Sequence, residues 1–174
     1  MSYETTPNLQ QIIASHNKKL ISKAKETPEI KKLCNCRKGQ PCPLDGKCLS
    51  ENIIYQATIT PNSGKEETYI GLTSNKFKTR LANHKAALKN KNLAKSCKLA
   101  EYGWRLRENN NDIKEIKWKI LGTAPTYSSI SNICSLCIKE KFFIIYNPEL
   151  GTLNNRKELT CGCRHKSKLL LDKG

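Results

Sequence analysis

The chain has 174 residues, of which 31 are Lys or Arg and 15 are Asp or Glu, so its formal net charge is +16. No apolar run reaches the ~18 to 20 residues of a membrane span and no secretory apolar region follows the N-terminus, so we expect an intracellular chain without membrane partners. So large a charge disfavours the compact state unless a polyanion is bound, which makes nucleic acid the leading partner class. The nine cysteines cannot all pair, and their clustering favours reduced thiols or metal ligands.

Three regions of different composition follow one another. Residues 1–33 are polar and Lys-rich with few apolar positions, which predicts a basic, partly ordered arm. Residues 34–50 are rich in Cys, Gly and Pro and have neither a helical nor a strand period, so something other than a hydrophobic core must order them. Residues 51–174 have the patterns of a globular domain with a short basic tail.

The domain opens with a predicted hairpin and a basic helix. Residues 52–60 and 66–72 are typical of two strands, joined by a turn at Pro61-Asn-Ser-Gly64. Apolar or ring side chains then recur at intervals of four, three and four residues, which predicts one face of a helix. These residues are Phe77, Leu81, His84 and Leu88, and Thr73, Ser74 or Asn75 is expected to cap the helix.

The rest of the domain adds two helices and a third strand. Residues 97–108 predict a helix, and residues 113–121 alternate apolar and charged side chains as a half-buried strand does. Residues 132–146 are apolar around most of the helical circumference, so we expect a mostly buried helix that ends at Asn147-Pro148. The predicted fold class is α+β, with a three-stranded antiparallel sheet flanked by helices.

The predicted basic helix lies in a stretch without acidic residues. Between Thr68 and Ala100 there is no Asp or Glu, whereas eight Lys or Arg residues occur there. A single lysine of this kind can equally belong to a solvated face. The whole stretch favours contact with a phosphate backbone, for which the candidate residues are Lys76, Lys78, Lys85 and Lys89.

Three polar residues stand out as candidates for chemistry. Arg80 and His84 are four residues apart and project from the same side of the predicted helix. Glu140 interrupts an apolar helix, where a carboxylate needs a cation or a strong hydrogen-bond partner. Each has an ordinary alternative, a surface arginine beside a half-buried histidine or a salt-bridged glutamate.

These residues belong to a longer ordered set. Ile53-Ile54-Tyr55 and Tyr69-Ile70-Gly71 lie on the hairpin, Arg80 and His84 follow on a helix, Glu140 lies on a later helix, and Asn154 comes after it. In this order they resemble the GIY-YIG nuclease family, from about Asn52 to Asn155. Ile53 stands where the family usually has its first glycine, and the 13 residues between the two tyrosines slightly exceed the common spacing.

Four further segments point to a more specific group within this resemblance. CPLDGKCL precedes the first strand, YIGLT is followed by FKTR and NHK, CSLCIKEKFFI forms the apolar helix, and LNNRKELTCGCRHK closes the chain. Together they resemble the endonuclease domain of Penelope-like retroelements. That resemblance implies a nuclear domain that nicks target DNA to expose a 3′-OH primer. In these elements the domain follows a reverse transcriptase, so the 174 residues would be an excised C-terminal domain of a longer protein. Element RNA and the adjoining reverse transcriptase are further implied partners.

The resemblance also implies roles for the ordered set. Glu140 would hold one divalent ion, Mg²⁺ or Mn²⁺, on the scissile phosphate, and Arg80 would contact the same phosphate. Tyr55 would activate water, Tyr69 and His84 would orient or assist these groups, and Asn154 would support the site by hydrogen bonding. A phenol with a pKa near 10 is a poor base at neutral pH, so positive charge from Arg80 or the ion must favour the phenolate. His84 is the rival base.

Two groups of cysteines have the composition of structural zinc sites. Cys34, Cys36, Cys42 and Cys48 supply four thiols within 15 residues, which suits one tetrahedral Zn²⁺, with free or disulfide-paired cysteines as the alternative. Cys134 and Cys137 begin a helix where thiolates are favoured. The resemblance favours Cys163 and His165 as their partners over Cys161, although either cysteine can complete the set. The alternative is buried apolar cysteines beside an unstructured tail, and Cys97 is left over.

We therefore expect a metal-dependent DNA endonuclease, with one or two structural zinc ions and one catalytic Mg²⁺ or Mn²⁺. The main alternative is a nuclease-derived zinc module that binds DNA or RNA without cleaving it. A purely structural zinc-dependent interaction domain is a third interpretation, but it leaves the charge of +16 without a purpose.

Overall fold

A computed structural model of the chain describes residues 10, 33–37, 39–155, 159, 160, 162, 163, 165 and 166. The predicted basic arm, residues 1–33, therefore lies outside the described residues except for Gln10 and Leu33. Everything below concerns the unit that begins at Leu33. Among the described residues, no helix has the length and apolar character needed to cross a membrane.

A three-stranded antiparallel sheet forms the centre of the domain, as predicted. The strands β1 (Ile53–Pro61), β2 (Glu67–Thr73) and β3 (Ile113–Thr123) are arranged in the order β2-β1-β3. The central strand β1 is buried on both faces. Tyr55, Ala57 and Ile59 belong to the core on one face, and Ile54 belongs to a smaller core on the other. Side-chain alternation along β1 thus divides the domain into two layers.

Two helices cover the face of the sheet that carries Tyr55. These are α1 (Phe77–Lys89) and α2 (Lys98–Glu108), and a short 3₁₀ turn, Lys91–Ser96, connects them. The helical period predicted α1 correctly, because Phe77, Leu81 and His84 are all buried. Both helices pack against the sheet through the core that surrounds Tyr55 and Phe77.

The predicted cap of α1 was wrong. Lys76 is the residue before the first turn, and it makes no side-chain capping hydrogen bond. Instead, the backbone N–H groups of Phe77 and Lys78 donate to the carbonyl oxygens of Ser50 (2.9 Å) and Cys48 (2.8 Å). These carbonyls satisfy amides that no residue within the helix can pair. The cysteine segment therefore supplies the cap, which explains why no local capping residue is needed.

A third helix, α3 (Ser135–Tyr146), lies on the opposite face of the sheet. It begins later than predicted because Ile133–Cys134 forms strand β5, which pairs with strand β4 (Tyr127–Ser128). It ends before Asn147-Pro148, where a 3₁₀ turn, Pro148–Gly151, follows.

The expectation that this helix is mostly buried was wrong. Only Leu136 is fully buried, and Phe143 and Ile144 are partly buried against the core around Ile54 and Ile70. The outward side chains remain exposed: Ile138 (56%), Phe142 (49%), Ile145 (59%) and Tyr146 (71%). The apolar contacts of α3 are therefore confined to the side that faces the sheet.

The stability of the central layer can be tested at Ile59. This side chain is fully buried in the core on the Tyr55 face. Ile59→Ala is expected to lower the free energy of unfolding by about 2–5 kcal/mol through lost transfer energy and a residual cavity. Urea unfolding in the presence of Zn²⁺ measures it. The matched control is Ile130→Ala, whose side chain is 95% exposed and whose effect should be within about 0.5 kcal/mol; equal effects would contradict the described core.

Candidate active site and cysteine clusters

Tyr55 is the centre of a buried group of polar side chains. Its side chain is fully buried, and its Oη atom lies 2.7 Å from Nε2 of His84. The Nε–H of Arg80 donates to the same oxygen at 3.0 Å. The sheet supplies the tyrosine, and successive turns of α1 supply the arginine and the histidine. The structure thus brings together three residues that the sequence analysis singled out.

The arginine and the burial of the hydroxyl together favour one direction for the hydrogen bond between Tyr55 and His84, in which the phenol donates. Because the guanidinium can only donate, Tyr55 Oη accepts from Arg80 and can give its own proton to His84 Nε2. His84 Nδ1 then carries the ring proton and faces Sγ of Cys97 at 3.4 Å. The ring of Trp118 lies 5.4 Å from that of His84. Trp118 could have been inferred from the alternation in β3, but nothing in the sequence signalled that Cys97 contacts this histidine.

Burial determines the ionisation of this group. It raises the pKa of Tyr55 to about 12, and the nearby positive charge of Arg80 only partly offsets it. Burial, with a smaller contribution from the charge of Arg80, lowers the pKa of His84 to about 3. At neutral pH the pair is therefore a phenol hydrogen-bonded to a neutral imidazole. The arginine alone does not produce the phenolate that the predicted role of Tyr55 requires.

The glycine of the Tyr-Ile-Gly sequence makes room for the buried tyrosine. Gly71 lies directly opposite Tyr55 in the antiparallel register. A Cβ atom at position 71 would lie only 2.6 Å from Tyr55 Oη and 3.0 Å from the ring of Tyr69. Any larger residue must therefore displace one of the two tyrosines. Ile53, which stands where the family usually has its first glycine, is a fully buried core residue.

A cavity of about 440 Å³ opens beside this group. Tyr69 and Arg80 line one side and Glu140 lines another, so the cavity spans the two layers around the edge strand β2. The negative charge of Glu140 is close enough to contribute to the raised pKa of Tyr55. A cavity shared by a guanidinium and a carboxylate is suited to a phosphate together with a cation.

Asn154 supports the cavity from behind rather than lining it. Its side chain makes two hydrogen bonds to the backbone of Ile70, accepting from N–H at 2.8 Å and donating to C=O at 2.9 Å. This pairing extends the edge of β2 and fixes the strand between Tyr69 and Gly71. Asn154 thus supports the edge strand by hydrogen bonding, and its part in a catalytic site stays a prediction.

The four candidate DNA-contacting lysines are exposed on and before α1: Lys76, Lys78, Lys85 and Lys89. Lys78 Nζ donates to the side-chain oxygen of Asn35 at 2.8 Å, so one of them is also tied to the cysteine segment. Exposure makes phosphate contact sterically feasible, and their contact with nucleic acid stays a prediction.

The first cysteine cluster consists of Cys34, Cys36, Cys42 and Cys48, as predicted. Their four sulfur atoms lie within 4.8 Å of one another. The Sγ atom of Cys48 is 3.6 Å from those of Cys34 and Cys36. Tetrahedral zinc with bonds of about 2.3 Å separates its sulfurs by about 3.8 Å. The cluster therefore fits one Zn²⁺.

The thiols of this cluster are unequal. Hydrogen bonds, first from Cys34, raise the pKa of Cys36 to about 12. Burial opposes ionisation of Cys42, but backbone N–H groups around it lower its pKa to about 6. Thiols this close repel one another once ionised, and a divalent cation removes that penalty.

The second cluster consists of Cys134, Cys137, Cys163 and His165, and its ligand atoms also lie within 4.8 Å of one another. Cys137 Sγ is 3.6 Å from Cys163 Sγ and 3.4 Å from His165 Nδ1. Burial, together with hydrogen bonds to the other two thiols, raises the pKa of Cys137. The set fits a closed zinc site of three thiolates and one histidine. The alternative ligand Cys161 lies outside the described residues.

A scan against family models, a search of curated proteins and a search of solved structures gave no match to this chain.

The state of His84 can be checked by its pH dependence. We expect its ring to remain neutral, with the proton on Nδ1, from pH 8 down to about pH 5, because its pKa is near 3. An unfolded histidine titrates near pH 6.5, so the stability contributed by the neutral ring is lost as the pH falls from about 6.5 through about 3. Ring ¹⁵N chemical shifts measure the state, and His84→Gln assigns the signal. An imidazolium already present at pH 6 would contradict this geometry.

Metal analysis tests the two clusters separately. We expect about two equivalents of Zn²⁺ per chain, and about one in Cys42→Ser and in Cys137→Ser. Replacing Zn²⁺ with Co²⁺ should give thiolate charge-transfer absorption of tetrahedral sites. Cys97→Ser is the control, because Cys97 belongs to neither cluster, and it should keep both ions. A wild-type chain without bound zinc would overturn the assignment.

Proposed function

We propose that this protein is a divalent-metal-dependent endonuclease that cleaves DNA by phosphodiester hydrolysis. The observation that carries the proposal is that Arg80 and Glu140, from two distant segments, line one cavity, and that the buried Tyr55 is hydrogen-bonded to Arg80 directly behind it. The order of these residues along the chain resembles the GIY-YIG nucleases, and the antiparallel sheet with helices on both faces is compatible with that resemblance. The proposed reaction follows from the chemistry of each residue.

The phosphate is held by charge. Arg80 is fixed by Tyr55, and although burial opposes its charge, Tyr55 raises the pKa of the guanidinium, which stays protonated. It can therefore stabilise negative charge that develops on the phosphate. Glu140 would hold one Mg²⁺ or Mn²⁺, and that ion, when bound, would stabilise the phosphate and the leaving oxygen.

The attacking water is activated by the phenol and the imidazole acting together. In the isolated protein Tyr55 is protonated, so it needs an acceptor before it can take a proton from water. His84 Nε2 lies 2.7 Å from Oη, and the negative charge of a bound phosphate would raise the low pKa of this imidazole so that it can accept the proton. Because Tyr55 Oη is buried behind Arg80, the water reaches it only when the guanidinium turns toward the bound phosphate. Tyr55 would then pass its own proton to His84 Nε2 as it accepts one from water. In this proposal both candidate bases take part in the proton transfer, Tyr55 as the first acceptor and His84 as the second.

The surroundings of the site support a polyanionic substrate. Exposed lysines of α1 continue the basic surface beyond Arg80, and phosphate contacts of this kind position DNA without reading its sequence. The resemblance to Penelope-like elements further favours nicking of nuclear target DNA to provide a 3′-OH primer. A reverse transcriptase domain of the same element would then use that primer on element RNA.

The proposal is tested by nicking of supercoiled plasmid in Mg²⁺ or Mn²⁺. The wild-type chain should convert supercoils to open circles. Glu140→Gln removes the carboxylate charge with almost no change in shape and should lower the rate by about 10²–10³-fold or more. Glu149→Gln is the matched control, since Glu149 is exposed and does not line the cavity, and it should nick at the wild-type rate.

DNA binding measured by fluorescence anisotropy separates cleavage from binding. Glu140→Gln should bind duplex DNA at least as well as wild type, because one negative charge is removed near the phosphate. A wild-type protein that binds DNA but leaves supercoils intact at every metal and salt concentration would refute hydrolysis. It would favour a zinc module that binds without cutting.

A further inference from the structure

Each cysteine cluster lies at the start of a helix that carries part of the candidate site. Carbonyl oxygens of Cys48 and Ser50 cap the first turn of α1, which carries Arg80. Cys134 directly precedes α3 and Cys137 lies in its first turn, and the same helix carries Glu140. The two sides of the cavity are thus each joined to a different cluster.

The second cluster reaches the cavity itself. Cys137, Glu140 and His165 all line it. Cys137 precedes Glu140 by three residues, so the two side chains project from the same side of α3, one turn apart. A displacement of Cys137 therefore displaces Glu140 with it.

Helix α3 is otherwise held mainly along its sheet-facing side, where Phe143 and Ile144 are partly buried and Lys139 Nζ donates to the carbonyl of Thr123 at 3.0 Å. Leu136 is its one fully buried residue, and its outer face is exposed over Ile138, Phe142 and Ile145. Its start is held by one capping hydrogen bond from Leu136 N–H to the carbonyl of Pro125, at 2.9 Å. The thiols of Cys134 and Cys137 connect it to Cys163 and His165, more than 25 residues further along the chain.

We propose that the metal ion held by the second cluster fixes the position of α3 and thereby prepares Glu140 to hold the catalytic ion. The positioning residues of the nuclease are then Cys134, Cys137, Cys163 and His165. This inference rests on the function proposed above. Binding of the two ions is coupled, so the structural ion raises the affinity for the catalytic ion and the reverse also holds. The first cluster has a different effect, because it positions Arg80 and does not change the position of the Glu140 carboxylate.

The experiment compares Cys163→Ser with Cys42→Ser in the full chain. Each is designed to remove one Zn²⁺, and Cys163 lies outside α3, so the helix keeps its own sequence. Zinc analysis verifies the loss, and His165→Ala is the second variant if Cys163→Ser retains its ion. Amide hydrogen exchange along α3 reports the helix directly, and protection of β1 shows that the central layer remains folded.

A second measurement follows the catalytic ion. Mn²⁺ is titrated while broadening of the amide signals of cavity residues is recorded by NMR. Cys163→Ser should lower protection of α3 at least tenfold and weaken Mn²⁺ binding by about 10–100-fold, the range for groups that orient metal ligands. Cys42→Ser should leave both within about twofold.

The outcomes separate this inference from the proposed function. Unchanged protection of α3 in a Cys163→Ser protein that has lost its zinc would overturn the inference, as would an equal loss of protection in Cys42→Ser. A Glu140→Gln variant that still nicks DNA would refute the role of Glu140, whereas the exchange of α3 would still report whether the second cluster holds the helix.

Discussion

The candidate site depends on how the N-termini of two helices, α1 and α3, are held in place. Helix N-termini leave backbone N–H groups without partners, and neither α1 nor α3 has a capping side chain. In α1 the carbonyls of the cysteine segment fill this role. In α3 a loop carbonyl and two thiols are at the corresponding place. The cysteine segment, whose Leu44 also packs into the core, thereby holds the start of the helix that carries Arg80.

The central strand explains why residues of such different character can meet. Because β1 is buried on both faces, Tyr55 points into one layer while its neighbour Ile54 points into the other. The cavity lies where the layers meet at the edge strand β2, so it takes Arg80 from one helix layer and Glu140 from the other. A buried phenol can then lie close to both a cation and a carboxylate.

Much of this arrangement could be predicted from the sequence, because local patterns encode it. The alternation of residues 113–121 and the period of Phe77, Leu81 and His84 reflect burial of one face against the sheet. The cysteine spacing also indicated the first cluster, whereas the resemblance favoured Cys163 and His165 as the partners of Cys134 and Cys137 in the second. The roles of the site residues came from a resemblance, and the geometry adds the hydrogen bonds that Tyr55 makes with Arg80 and His84.

What could not be predicted depends on contacts between distant residues. The cap of α1 comes from backbone carbonyls of Cys48 and Ser50, and backbone groups leave no trace in residue type. The apolar circumference of α3 suggested burial, yet only Leu136 is enclosed, since a small domain has too little sheet surface to cover every side of that helix. The contact between Cys97 and His84 likewise follows from where α2 begins, which no spacing rule specifies.

The two clusters differ in how far apart along the chain their ligands lie, and this bears on the order of assembly. The first cluster closes over 14 residues, between Cys34 and Cys48. The second joins residues 26 to 31 positions apart and requires a segment that follows the whole sheet. During synthesis on a ribosome, the side of the cavity that carries Arg80 can therefore form before the second cluster holds the helix that carries Glu140. A nascent chain would therefore have an incomplete cavity until Cys163 and His165 emerge, and these last ligands would complete it.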